Sequence, residues 1–419
     1  MNKENLGNRI EFIYGFSVRV NDEIKGNFPV FGSNGVTGYI DNYKIKGPGI
    51  IIGRKGSVGR VSYSIENFTP TDTAYYVRIK NNLTDDLKFW YYYLQLLGLE
   101  KLNTHSSVPG LSREVAYFIS VNVPSKATQQ KIASVLSALD DKIELNNKIN
   151  AELEAMAKTI YDYWFVQFDF PDKNGRPYKS SDGKMVYNEI LKREIPEGWE
   201  VKGLSFLCSI VSRGISPKYI EDGGVCVLNQ KCIRDNKISF DFSRRHDNHY
   251  KNTSSRRIKE YDILVNSTGV GTLGRVAMVK RMPEEFITVD SHVTIVRADE
   301  KLVDELYFGF TIVQKQKEIE GFSLGSTGQV ELSRSQLESL NVILPNSKIQ
   351  KKFRGIDLPL LQKMAICEIE NQNLSNLRDW LLPMLMNGQV SVGKAYEEVE
   401  EVVSMAAEEE EEYRNKINI

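Results

Sequence analysis

Two patterns of apolar and polar positions alternate along this chain. Short apolar runs punctuated by Gly, Asn, Pro and Thr give way twice to long stretches in which apolar residues recur at helical spacing. Gly49-Ile50-Ile51-Ile52, Val58 to Tyr63 and Ala74 to Ile79 read as strands joined by turns. Leu87, Trp90, Tyr91, Leu94 and Leu97 place one helix over about 85–97. The later half repeats the plan, with strands at 262–266, 275–279 and 292–297 and a helix over 301–320. Each region closes on a strand ending in proline, Val121 to Pro124 and Asn341 to Pro345, and a long helix follows. The first long helix, over about 128–165, carries a heptad of Ile132, Leu139, Asn146, Leu153 and Ile160, with Val135, Lys142, Ile149, Met156 and Tyr163 at the second position. The second carries Phe353, Leu360, Cys367, Leu374 and Leu381, with Ile356, Lys363, Glu370, Leu377 and Met384, each 221 residues later. The pattern predicts that the two seams face each other, with polar Asn146 and Glu370 fixing register. A helix of ~37 residues spans ~55 Å, enough to hold two domains apart.

The helices are part of a repeat. Gly56-Ser57-Val58-Gly59-Arg60-Val61 recurs as Gly271-Thr272-Leu273-Gly274-Arg275-Val276, and Leu111-Ser112-Arg113 recurs as Leu332-Ser333-Arg334. The offset grows from 215 residues at the glycine loop to 221 at the Leu-Ser-Arg step and then holds through the helix. A steady offset marks matched elements and a drifting one marks loops. The predicted fold is α+β, with two strand-rich domains in tandem, each followed by a long α-helix. The expected boundaries are domain one at 1–127, first helix at 128–170, an irregular turn-rich linker at 171–195, domain two at 196–347, second helix at 348–389 and an acidic tail at 390–419.

Composition narrows the function. No uncharged apolar stretch of membrane-spanning length or signal-peptide type is present, so a cytoplasmic protein without membrane contact is expected. The net charge of −1 conceals an asymmetry. Residues 390–419 hold nine Glu against Lys394, Arg414 and Lys416, leaving the rest of the chain at +5, mildly basic and compatible with a phosphate-binding face. Cys208, Cys226, Cys232 and Cys367 all lie in the second half without a Cys-x-x-Cys pair, which argues against a disulfide framework, and Cys226, Cys232, His246 and His249 have awkward spacing for zinc. Gly269-Val270-Gly271-Thr272-Leu273-Gly274 matches the dinucleotide pattern but leads into another strand rather than a helix. With no P-loop, methyltransferase motif or acid cluster, the chain reads as non-catalytic, holding neither metal nor cofactor.

What remains are polar, glycine-framed loops with the side-chain types that read base edges and hold phosphates. In the first half the candidate DNA-binding residues are Asn34, Arg54, Lys55, Ser57, Ser106 and Ser107. In the second they are Asn229, Gln230, Arg244, Arg245, Ser267, Thr268, Thr272, Ser326, Thr327 and Gln329. A coiled-coil scaffold whose domains bind protein instead of DNA is the competing reading.

Over nearly its whole length before the tail, the chain resembles the DNA specificity subunit of type I restriction-modification systems. The resemblance is carried by Pro29-Val30-Phe31-Gly32-Ser33-Asn34-Gly35, Gly47 to Ser57, Asp72-Thr73-Ala74, Trp164-Phe165-Val166, Ile195 to Val201 and Leu381 to Gly388. It implies two target-recognition domains, each reading one half of a split, asymmetric site on double-stranded DNA, with the helices packed antiparallel as a spacer. It further implies docking of two methyltransferase subunits and of restriction-motor subunits. S-adenosylmethionine and ATP with Mg would then belong to those partners. The acidic tail departs from the family pattern.

Overall fold

The computed structural model describes residues 2–18, 26–102, 110–250, 253–322, 331–395 and 397–399. The chain divides into two compact units, one formed by Met1–Asn146 with the segment from Glu368 onward, the other by Asn147–Cys367.

In the first unit, β1 (Asn2–Asn5) and β2 (Ile10–Tyr14) are followed by β3 (Phe28–Gly32), β4 (Gly35–Ile40), β5 (Gly49–Gly53), β6 (Val61–Ser64), β7 (Thr69–Pro70) and β8 (Ala74–Ile79). Then come α1 (Leu87–Leu96), α2 (Arg113–Tyr117), β9 (Ser120–Val123) and α3 (Lys126–Tyr161), whose residues up to Asn146 belong to this unit. An antiparallel sheet runs β2-β8-β5-β6, and a smaller sheet runs β4-β3-β7 with β3 and β7 parallel. The run Gly-Ile-Ile-Ile-Gly of β5 is buried throughout, as expected of an interior strand with both faces covered. Helix α1 starts where the Asp86 carboxylate accepts the Phe89 N–H at 2.9 Å, and it buries Phe89, Trp90, Tyr92 and Leu94.

The second unit contains the hairpin β10 (Met185–Asn188) and β11 (Arg193–Pro196), then β12 (Glu200–Gly203), α4 (Leu204–Leu207), β13 (Cys208–Arg213), β14 (Tyr219–Ile220) and β15 (Val225–Leu228). Next are β16 (Ile233–Arg234), β17 (Lys237–Ile238), β18 (Arg244–His246), β19 (Ile263–Asn266), β20 (Val276–Met278), β21 (Ile287–Val289) and β22 (Val293–Ala298). The unit ends with α5 (Glu305–Gln314), α6 (Gln316–Gly321), α7 (Arg334–Glu338), β23 (Asn341–Leu344) and the first part of α8 (Ser347–Met386). The sheet order β13-β22-β19-β20 repeats β2-β8-β5-β6 strand for strand, and the pair β12-β23 repeats β1-β9. The parallel pair β15-β21 matches β3-β7.

The two long helices run antiparallel. In the first unit, Asn146 Nδ2 donates to Glu370 Oε2 at 2.7 Å and to Asn371 Oδ1 at 3.0 Å, Lys142 lies 3.2 Å from Glu370 Oε1, and Arg378 pairs with Asp140 at 2.8 Å. In the second, Asn150 Nδ2 reaches the Met364 carbonyl at 3.4 Å and the Tyr161 ring packs on Phe353. Both helices are tied to their preceding domain in the same way. Buried Gln129 accepts the Asp86 N–H and donates to the Pro124 carbonyl, while buried Gln350 accepts the Asp304 N–H and donates to the Pro345 carbonyl.

Three expectations need correction. The seam is not a strict heptad: Ile132, Leu139, Asn146, Phe353, Cys367, Leu374 and Leu381 are buried and Leu153, Ile160 and Leu360 half-buried, but Met156, Tyr163 and Ile356 are exposed. A helix of 3.6 residues per turn drifts away from a period of 3.5, so burial passes instead to Ala157, Tyr161, Asp357, Leu361 and Met364. The linker, expected to be ordered and turn-rich but without regular elements, holds the β10–β11 hairpin, which runs on to Pro196, and its Tyr178 stacks on Phe170, which also stacks on Trp199. The helix expected over 301–320 breaks at Lys315 into α5 and α6.

Candidate nucleic-acid interface

The repeated glycine loops join β5 to β6 and β19 to β20. Gly53 donates to the Arg60 carbonyl and Gly59 to the Gly53 carbonyl, both at 2.8 Å. Asn266 and Gly274 make the same bonds to Arg275 at 2.9 Å and Asn266 at 2.8 Å. Glycine is required at the last position of each loop. Gly59 and Gly274 have φ of 77° and 82°, and a Cβ would stand 2.4 Å from Glu100 N in one copy and 2.8 Å from Glu320 Cα in the other. The Leu-Ser-Arg segments then dock alongside, Leu111 N–H on the Arg54 carbonyl and Leu332 N–H on the Ser267 carbonyl, each at 2.9 Å. With β20 following and no helix, the glycine pattern at 269–274 builds a turn rather than a dinucleotide cradle.

In the first domain the loop gathers Asn34, Arg54, Lys55 and Ser57. Asn34 Oδ1 accepts from Ser57 Oγ at 3.2 Å and from Arg60 at 2.5 Å, so these three form one polar group at the tip of the β3–β4 turn. Arg54 is half-buried. Its Nε donates to the Asp72 carbonyl at 3.0 Å and its guanidinium lies 5.1 Å from the Tyr14 ring and 5.9 Å from the Tyr75 ring. Arg113 lies 4.8 Å from the Tyr14 ring. The Tyr75 hydroxyl donates to the Leu111 carbonyl at 3.2 Å, and burial, reinforced by a hydrogen bond with Tyr14, pushes its pKa up to about 12. Lys55 is exposed. Ser106 and Ser107 lie outside the described residues.

The second domain differs at the corresponding positions. Ser267 is fully buried with its hydroxyl 2.5 Å from Thr294 Oγ1, and Asn229 is buried with its side chain accepting the Lys231 N–H and donating to the Phe242 carbonyl, both at 2.8 Å. Reading these two as DNA contacts is therefore corrected: their polar atoms already serve the domain interior. Arg245 is held by Glu284 through two bonds of 2.7 Å, which neutralises it. Arg244 is exposed and lies 3.5 Å over the Tyr219 ring. Thr268 Oγ1 is 2.6 Å from His292 Nδ1, Thr272 donates back to the Thr268 and Gly269 carbonyls at 3.3 Å, and the half-exposed Gln230 accepts from Asn266 Nδ2 at its carbonyl, 3.0 Å away. Ser326, Thr327 and Gln329 lie outside the described residues.

Sequence reasoning passed over Tyr14, Arg60, Arg113, Arg213 and Arg275. Arg60, Arg113 and Arg275 sit inside the repeated segments and were legible there. Tyr14 and Arg213 are equivalent only through strand pairing, Tyr14 opposite Tyr75 and Arg213 opposite Thr294, so no local motif marks them. Among the described residues no cluster of His, Cys, Asp and Glu could hold a metal; buried His246 instead takes the Lys218 N–H on Nδ1 at 3.0 Å. Among the described residues, no helix is long and apolar enough to cross a membrane.

The type I restriction modification DNA specificity domain model matches residues 15–155 and again 196–356, together well over half of the chain. The MjaIX type I restriction enzyme specificity subunit of Methanocaldococcus jannaschii is 26% identical over 82% of this chain and 78% of its own length. The HindI specificity subunit of Haemophilus influenzae is 26% identical over 67% of this chain and 71% of its own length. A solved type I restriction-modification S subunit from M. genitalium superposes with a TM-score of 0.60 at 18% identity, covering 92% of this chain and 95% of that one, which bears on the fold. The scaffold reading without DNA is not favoured by these matches. Two copies of one recognition architecture, each matched by the same domain model, place this chain in the type I restriction-modification family as a DNA specificity subunit with two target-recognition domains.

Proposed function

We propose that each domain reads one half of a bipartite, asymmetric site on double-stranded DNA and that the antiparallel helix pair fixes the gap between the halves. The carrying observation is the repeated frame with unequal contents: at equivalent places the same strands and glycine loop carry exposed Tyr14 and half-buried Arg54 in one copy, but half-buried Arg213 and a fully buried Ser267 in the other. Identical frames with different side chains at equivalent places support recognition of two different half-sequences. The chain supplies no chemistry of its own in this reading. Two methyltransferase subunits holding S-adenosylmethionine and restriction-motor subunits using ATP and Mg dock on it and act in the cytoplasm. Methylome sequencing of a host carrying the complete system tests the proposal. A split, adenine-containing motif with two dissimilar halves is expected, and a continuous or palindromic motif would refute it.

A further inference from the structure

Arg244 and Arg245 are neighbours on β18 with opposite fates. Successive side chains of a strand point to opposite faces, and Arg245 is taken up by Glu284 through two bonds of 2.7 Å. Arg244 is exposed and its guanidinium carbon lies 3.5 Å from the centroid of the Tyr219 ring. Its nitrogens have no hydrogen-bond or ion-pair partner among the described residues. We infer that Arg244, laid on Tyr219, is a specificity-determining residue that reads a guanine in the half-sequence bound by the second domain. This deepens, and rests on, the proposal that each domain reads one half-site.

Arg244 stands at a place where the two domains share a frame but not a side chain. β3 and β15 match residue for residue, since Val30 is opposite Thr69 and Val227 opposite Thr288 in their parallel partners. The next carbonyls, of Phe31 and Leu228, accept the N–H of Thr71 and of Asp290 at 2.8 and 2.9 Å. On the other edge Val30 faces Gly38 and Val227 faces Arg244, so one copy has no side chain where the other has an arginine. Neither Gly38 nor Arg244 lies in a segment that carries the family resemblance. Tyr219 comes from β14, which pairs with β18 and has no counterpart among the described residues of the first domain's three-stranded sheet. Phosphates are alike on every DNA sequence, so groups that hold them can be the same in both copies, as Arg60 and Arg275 are; groups that read different half-sequences must differ. The pair is nevertheless tied to the glycine loop. The Tyr219 hydroxyl donates to Asp290 Oδ2 at 3.4 Å, Asp290 Oδ1 accepts the His292 N–H at 2.9 Å, and His292 Nδ1 lies 2.6 Å from Thr268 Oγ1, at the start of that loop. This chain of bonds anchors the ring, and the ring holds the plane of the guanidinium while leaving its N–H edge open. A planar fork so held loses little freedom on binding, and guanine offers the matching pair of acceptors, O6 and N7, in the major groove.

The test uses the complete complex with its methyltransferase subunits and duplexes carrying the motif found by methylome sequencing. Each guanine of the motif, on either strand, is replaced in turn by 7-deazaguanine, which lacks the N7 acceptor. At one guanine, in one half-sequence, the replacement should weaken wild-type binding about tenfold, equivalent to about 1.4 kcal/mol. Complexes carrying Arg244→Gln should bind that guanine and its analogue alike, and Tyr219→Leu, which removes the ring but keeps the arginine, should lose most of the same discrimination. Both variants should stay sensitive to changes in the other half-sequence, which reports an intact fold. The inference is overturned if no guanine is sensitive in the wild type, if Arg244→Gln keeps the sensitivity, or if it loses affinity equally for all sequences with a shallower salt dependence, the signature of a phosphate contact. Full discrimination in Tyr219→Leu would overturn the part assigned to the ring. The absence of any split motif would sink the two-reader proposal instead.

Discussion

Asp357 is fully buried on α8 with neither carboxylate oxygen hydrogen-bonded, and desolvation raises its pKa to about 7 despite the opposing field of Lys280. The position 221 residues earlier is Leu136, also fully buried, so one half of the repeat solves with an apolar side chain what the other half meets with an acid. Between the ordinary carboxylate pKa of 3.8 and about 7, the folded chain keeps a proton that the unfolded chain has released. This group's contribution to stability therefore falls as pH rises through that window and is flat above it. Asp357→Leu should raise stability by roughly 2–4 kcal/mol at pH 8 and by much less at pH 5. Thermal melts at the two pH values measure this, and equal shifts at both would contradict it. Charged surface residues separate along the same lines. Lys55→Ala should lower the slope of log affinity against log salt by about one, as for loss of one phosphate contact. Arg245→Ala should leave that slope unchanged, because Glu284 already neutralises the guanidinium; a binding titration across salt concentrations distinguishes the two variants.

At the level of elements, the buried glutamines Gln129 and Gln350 show how each long helix keeps its orientation to its own domain. Each satisfies a backbone N–H at the start of α1 or α5 and a proline carbonyl at the end of β9 or β23. Gln129→Leu or Gln350→Leu should cost about 1–3 kcal/mol by leaving those groups buried and unpaired. Chemical denaturation of the single variants checks this, and unchanged midpoints would show the bonds to be dispensable. The helix pair carries the larger functional prediction. Because Asn146 bonds to Glu370 and Asn371, lengthening α3 alone would break register, so a heptad must be added to both helices at that level. The paired insertion should change the preferred gap between half-sequences and neither half-sequence itself. A methylome with an unchanged gap would remove the spacer role. The long helices were legible because a 40-residue element such as α8 writes its period many times. The exposed positions of Met156, Tyr163 and Ile356 were not, since the drift of a straight helix against its partner accumulates through packing rather than local sequence.

For the whole molecule, the repeat predicts modularity. Exchanging the first domain for that of another specificity subunit, with Gln129 kept with its own domain so that its bonds to the α1 start and to Pro124 survive, should replace one half of the methylated motif and leave the other half and the gap intact. Sequencing the resulting methylome decides it, and changes in both halves would mean that the domains do not read independently. The sequence by itself determined the doubling, the α+β class, the two long helices and the positions of the glycine loops, because each is written in local periodicity or in a repeated motif whose backbone geometry demands particular residues. Tertiary structure alone decided which loop side chains are free to act. Ser267 and Asn229 have the composition of reading groups but are consumed inside their domain, while Tyr14 carries no motif and yet braces Arg54. Residue type and spacing describe what a side chain can bond to. Which bonds are already taken depends on strands brought together from distant parts of the chain, and so only the folded molecule settles it.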